Sequence, residues 1–270
     1  MQPLGLTCLI ALDDAAEVLP GPLERALALH APRSSLRIDQ EMTPQDAEQA
    51  LIADIDGQSI AMVLFDQQLP PEDYAHAVEK SLFWRDAGMA LEDHRAFLAI
   101  SGTQPFQTHG LARAQASAIT RLAAAACECL PALGALWLGA RTVSSPEAMV
   151  RATAGLAKGY WPVDIWIGWY SHGQIGSDSS VIGFQTLGAA DFLGFELLCE
   201  AFETTDVKEP LRLLYSTAGY LMANGDVIPD GRLVEVKGER RTQYKMLFHP
   251  DGRPGVARLR VLERDHRKMN

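Results

Sequence analysis

The chain has 270 residues, 47% of them hydrophobic, and a formal net charge of −10. That is enough apolar material for one large packed domain or two smaller ones, and it excludes a disordered chain. The longest apolar region, 118–140, is interrupted by Arg121, Glu128 and Pro131, so no segment is expected to span a membrane.

The opening MQPLGLTCLIALDD lacks a basic leader region and reaches Asp13 and Asp14 before an apolar leader core could form, so it reads as a first strand. Thr43-Pro44-Gln45-Asp46 has the form of a cap, a first-turn proline and an acid facing the helix dipole, which predicts a brief helix after a short strand near 36–38. Asp56-Gly57 predicts a turn into the apolar strand 59–65. Pro70-Pro71-Glu72-Asp73 opens the next helix, with Tyr74, Ala77, Val78 and Ser81 on its inner face, and 95–101 is again a strand. With the helix carrying Leu23, Leu27 and His30, the order is strand, helix, strand, strand, helix, strand, that of a split βαβ sandwich with one extra helix.

The second part begins with a long alanine-rich helix, 108–129, ended by Pro131 and Gly134. Ser145-Pro146-Glu147 caps another helix. WPVDIWIGWY (161–170) reads as a buried strand, because Ile165, Ile167 and Trp169 alternate with Asp164, Trp166 and Gly168. The Gly/Ser-rich stretch 171–180 is a turn, and Phe195, Leu197 and Cys199 alternate with Glu196, Leu198 and Glu200 in a returning strand. A helix closed by Asn224-Gly225 and three β segments complete the chain. The expected fold is α+β: two tandem ferredoxin-like (split βαβ) sandwich units with mixed, largely antiparallel sheets, an acidic domain at 1–104 and a second at 105–270.

Charge divides unevenly between these parts. Residues 1–100 hold 17 Asp/Glu against 6 Lys/Arg, whereas residues 101–270 hold 17 against 18. An acidic surface repels nucleic acid and attracts a basic protein. The acids expected to meet such a partner are Asp54, Asp56, Glu72, Asp73, Glu79, Asp86, Glu92 and Asp93.

Catalytic motifs are sparse. Ile228-Pro229-Asp230 followed by Glu235 and Lys237 resembles the carboxylate–lysine string of metal-dependent nucleases. On one strand, however, Glu235 and Lys237 face one way and Asp230 the other. Ser171-His172 are sequence neighbours that point apart and lie in no nucleophile elbow. His94 stands before a strand, where it bridges loops or serves a hydrolase, and Glu196 and Glu200 share one strand face. The seven histidines and four cysteines have no zinc-ligand spacing, Cys127 and Cys129 diverge on a helix, and no phosphate-binding glycine loop occurs. No cofactor, metal or disulfide is expected, and the cytoplasm is the expected compartment.

Four stretches together resemble a bacterial domain-of-unknown-function family found near type VI secretion and polymorphic-toxin loci. They are residues 70–101, WPVDIWIGWY, TLGAADFLGFELLCE (186–200) and AGYLMANGDVIPDG (218–231). The chain departs from that family's Glu-x-Glu-like pattern, because Leu198 stands two residues after Glu196. The resemblance implies a non-catalytic immunity protein that neutralises a toxin such as a nuclease. The alternatives are a metal nuclease on Asp230, Glu235 and Lys237, a hydrolase around His94 and Glu196, and a secretion-system adaptor.

Overall fold

The structure is a computed structural model that describes residues 6–15, 18–38, 44, 47–225, 233–237, 241–248 and 255–264. It is α+β and divides into two compact units, Met1–Trp166 and Ile167–Asn270.

In the first unit the elements are β1 (Thr7–Leu12), α1 (Pro20–His30), β2 (Ser34–Ile38), β3 (Gln49–Ile55), β4 (Gln58–Phe65), α2 (Pro71–Glu79), α3 (Ala87–Leu91) and β5 (Ala96–Gly102). Next come α4 (His109–Cys129), β6 (Ala132–Trp137), β7 (Thr142–Ser144), α5 (Pro146–Leu156) and α6 (Val163–Trp166). The strands form one sheet in the order β2-β3-β4-β5-β1-β6-β7, antiparallel at every step. β1 is apolar along its length, TCLIAL, because both faces of the sheet are covered where it lies. Leu9 and Ala11 join Ala77, Ala87, Leu91, Phe97 and Leu136 in a core under α2 and α3. Cys8, Ile10 and Leu12 alternate onto the opposite face, where α4 crosses β1, β4, β5 and β6. Small alanines fill the buried side of α4, among them Ala112, Ala116 and Ala123, and they let this helix sit close to the sheet.

The local signals explain where the elements begin. Ser145 Oγ accepts a hydrogen bond from Ala148 N–H at 3.3 Å, so the expected cap starts its helix, and Thr108 Oγ1 caps α4 in the same way, accepting from Leu111 N–H at 3.2 Å. Asp56 and Gly57 have φ values of 49° and 80°, the two positive angles of a type I′ hairpin turn. That turn joins β3 to β4. Of the brief helix expected from Thr43, residues Thr43, Gln45 and Asp46 lie outside the described residues, and from Gln49 the chain is strand, β3.

Two larger expectations change. The boundary lies between Trp166 and Ile167 rather than between 104 and 105, because β6 returns to pair with β1 and α4 covers the sheet begun by residues 7–102. The sheet also carries helices on both faces, and both neighbours of β1 are antiparallel to it, which departs from the split βαβ order. WPVDIWIGWY is not one strand. Pro162 starts the helical turn α6, with Ile165 N–H and Trp166 N–H both donating to Pro162 O at 3.0 Å. Trp166 is fully buried between Trp137 and Trp161, ring centroids 6.1 and 5.8 Å away, and its indole N–H donates to Thr120 Oγ1 at 2.9 Å.

In the second unit the elements are β8 (Gly168–Gln174), β9 (Ser180–Leu187), α7 (Ala189–Leu193), β10 (Glu196–Thr204), α8 (Glu209–Asn224), β11 (Leu233–Lys237), β12 (Arg241–Phe248) and β13 (Val256–Arg264). The sheet order is β11-β12-β13-β10-β9-β8, mixed because β10 and β13 are parallel. Leu197 and Cys199 of β10 are buried as their alternation predicts, and α8 packs on β9 and β10. Gly225 closes α8 in the left-handed conformation, φ 65°, with its N–H on Leu221 O.

Replacing Trp166 by Ala removes the large ring and the indole N–H bond to Thr120, whose hydroxyl keeps its own bond to Ala116 O at 2.8 Å. The expected cost is about 3–5 kcal/mol, read as a lower urea midpoint for the first unit.

Candidate partner-binding surface

All eight acids expected to face a partner are exposed. The structure gathers six of them on one segment. Glu72 and Asp73 occupy the first turn of α2, where they complement the helix dipole, Glu79 ends α2, Asp86 precedes α3, and Glu92 and Asp93 follow it. A hydrogen bond from Lys80, together with its charge, holds the Glu79 carboxyl below its ordinary value. Asp54 and Asp56 lie elsewhere. Asp54 stands on β3 between Ser35 and Ser59, and Asp56 at the hairpin tip is ion-paired with Arg121 of α4. β4 pairs with β5 so that the hairpin meets Gly102, whereas Glu92 and Asp93 precede Ala96 at the other end. The seven residues of β5 span about 20 Å at about 3.3 Å each, which separates the two acidic groups.

The catalytic candidates have structural partners. His94 is buried. Leu69 N–H donates to its Nε2 at 2.8 Å, which makes Nδ1 the protonated nitrogen, and Nδ1–H donates to Leu91 O at 2.6 Å. With Gln68 Nε2 donating to His94 O at 2.8 Å, this residue ties the β4–α2 connection to the turn before β5. Glu196 accepts from Thr186 Oγ1 at 2.6 Å and from the backbone N–H groups of Gly188, Ala189 and Ala190 at 2.8–3.2 Å, so it caps the β9–β10 connection. Glu200 accepts from Arg260 at 2.7 and 3.1 Å, with Arg258 at 3.9 Å. Ser171 and His172 lie on β8 rather than in a turn, and being consecutive strand residues they face opposite sides. Asp230 lies outside the described residues. Glu235 and Lys237 stand on β11 opposite Gln243 and Arg241.

The sequence did not disclose one polar chain. Thr153 Oγ1 of α5 lies 2.9 Å from His30 Nδ1 of α1, and His30 Nε2 lies 3.0 Å from Glu128 Oε2 of α4. The residue types are those of a hydroxyl–imidazole–carboxylate relay. A nucleophile, however, must be open to substrate, and Thr153 is buried with its hydroxyl also 2.7 Å from Val150 O. These three residues tie together the helices on one face of the first sheet. His30 was visible only as an inner-face position, because its partners are 98 and 123 residues away.

The four cysteines are free thiols. Burial raises Cys8 and pushes Cys127 up to about 12, the reverse of an activated nucleophile. Among the described residues, no group of three or more His, Cys, Asp or Glu is placed to hold a metal ion, and no helix is long and apolar enough to cross a membrane. No family model, curated protein or solved structure matches this chain.

Two outcomes follow from these contacts. His94→Ala leaves Leu69 N–H without its partner and Leu91 O with only the long bond from the residue 94 N–H at 3.5 Å, and is expected to lower unfolding free energy by about 2–4 kcal/mol in chemical denaturation. Asp164, half-buried on α6, has its carboxyl raised by burial, against the opposing pull of its own backbone N–H and of Arg151. The folded chain therefore holds this proton more tightly than the unfolded chain, and stability falls as pH rises through the folded value. Asp164→Asn is expected to be more stable than the parent at neutral pH, the advantage vanishing below the ordinary carboxylate range in melts across pH.

Proposed function

We propose that this chain is a non-catalytic binding protein that captures a basic protein, and specifically an immunity protein neutralising a secreted toxin such as a nuclease in the cytoplasm. The observation that carries the reading is the concentration of exposed acids on α2 and on the stretches that precede and follow α3. Residues 71–93 hold six Asp/Glu against two Lys/Arg. A field of that sign accelerates encounter with a basic protein and repels the phosphates of nucleic acid. The resemblance to proteins of toxin loci supplies the kind of partner.

The test is affinity capture by the tagged full chain from its own cells, at low and high salt, followed by binding kinetics with the recombinant partner. One dominant basic protein is expected, retained at low salt and weakened at high salt. Joint reversal of Glu72, Asp73, Glu92 and Asp93 to Lys should lower the association rate by about 10-fold or more. An affinity and salt dependence that the reversal leaves unchanged would overturn the reading.

A further inference from the structure

We infer that the connection between α2 and α3 is a preformed apolar anchor, seated on the partner by Leu82, Phe83 and Met89, and that it receives a basic segment of that protein carrying its own apolar side chains. The inference rests on the binding function proposed above and adds what charge alone does not give, a place of contact.

The three side chains are 45%, 51% and 72% exposed. A solvent-facing connection normally takes polar residues, and clustered exposed apolar side chains mark interaction sites. This connection is also held in place. Ser81 Oγ donates to Trp84 O at 2.9 Å and accepts from Trp84 N–H at 3.2 Å, closing the turn that displays Leu82 and Phe83. Trp84 turns inward over Gly134 of β6, where even a Cβ would come within 2.8 Å of its ring. Ala87 and Leu91 lie one helical turn apart and are buried, so Met89, half a turn from each, points outward. The buried residues thus fix the exposed ones, and a partner binding there orders little that is not already ordered.

Charge selects the occupant. Glu79, Asp86, Glu92 and Asp93 outnumber Lys80 and Arg85 in this stretch, and with Lys80 paired to Glu79 and Arg85 beside Asp86 the unbalanced charge is that of Glu92 and Asp93. A second copy of this chain would bring the same negative surface against itself, and anionic lipid or nucleic acid would be repelled. A protein segment with Lys or Arg around Leu, Phe or similar anchors satisfies both features.

The experiment titrates the isotope-labelled full chain with three synthetic peptides, followed by backbone amide shifts, and measures self-association by sedimentation. The peptides are a Lys/Arg-rich sequence with Leu and Phe anchors, the same sequence with Ser at the anchors, and the anchored sequence with Glu for Lys/Arg. Expected are shifts at residues 81–91 with the first peptide, and affinity at least about 10-fold lower with either control and in Phe83→Ser. Equal binding of the anchorless basic peptide overturns the anchor and leaves the electrostatic binding function standing. Binding of none of the basic peptides counts against both. Self-association abolished by Phe83→Ser makes a second copy the occupant and overturns the inference. The single replacement is at an exposed side chain, and Met89→Ser, also exposed, serves as a second variant should Phe83→Ser fail to fold.

Discussion

The first unit depends on one constraint, that β1 is buried on both faces. A strand in that position needs apolar side chains on alternate residues in both directions, and it needs a layer on each side of the sheet. Leu9 and Ala11 satisfy one layer against α2 and α3, while Cys8, Ile10 and Leu12 meet the α4 layer. With β5 and β6 on its two edges, β1 has no exposed backbone edge either. Any arrangement that left out α4 and β6 would expose one face and one edge of this strand, so the first unit runs at least to Trp137, and Trp166 joins it by packing on Trp137 and bonding to Thr120.

The same constraint determines where function can sit. Polar groups inside such a unit must be matched, and His94, Thr120 and the His30–Thr153–Glu128 chain each connect elements distant in sequence. Their chemistry is committed to holding loops and helices in place. The surface proposed above for recognition is the outer side of the α2–α3 layer, where exposed carboxylates accompany the exposed side chains of Leu82, Phe83 and Met89.

Much of this was legible because it is local. Thr108, Ser145 and Asn224-Gly225 bound helices through hydrogen bonds or backbone angles within a few residues, and Asp56-Gly57 specifies its hairpin through two positive φ angles. The strand before that hairpin, β3, was not legible, because the pairing of Leu51 with Met62 and Ala53 with Ile60, not a local signal, makes it a strand. WPVDIWIGWY failed for a related reason. Its alternation of apolar residues is real, but Pro162 supplies a helix start and the tryptophans satisfy tertiary packing rather than a sheet period. The non-local facts, β6 returning to β1 and His30 meeting Glu128 and Thr153, leave no mark in neighbouring residues.

The acidic surface shows how far a charge count can go without geometry. Summed along the chain, Asp54 and Asp56 are equivalent to Glu92 and Asp93. In the fold they lie about 20 Å apart along β5, beyond a Debye length of about 8 Å at physiological salt, so the two groups act independently on a bound partner. Asp56 is further neutralised by Arg121. Glu79 is likewise paired with Lys80, so the net field at the exposed apolar residues comes from the excess of acids over Lys80 and Arg85 between residues 72 and 93. On the proposed reading, distant charge adds to the net attraction during approach, and the neighbours of Leu82, Phe83 and Met89 set the dissociation rate once contact forms.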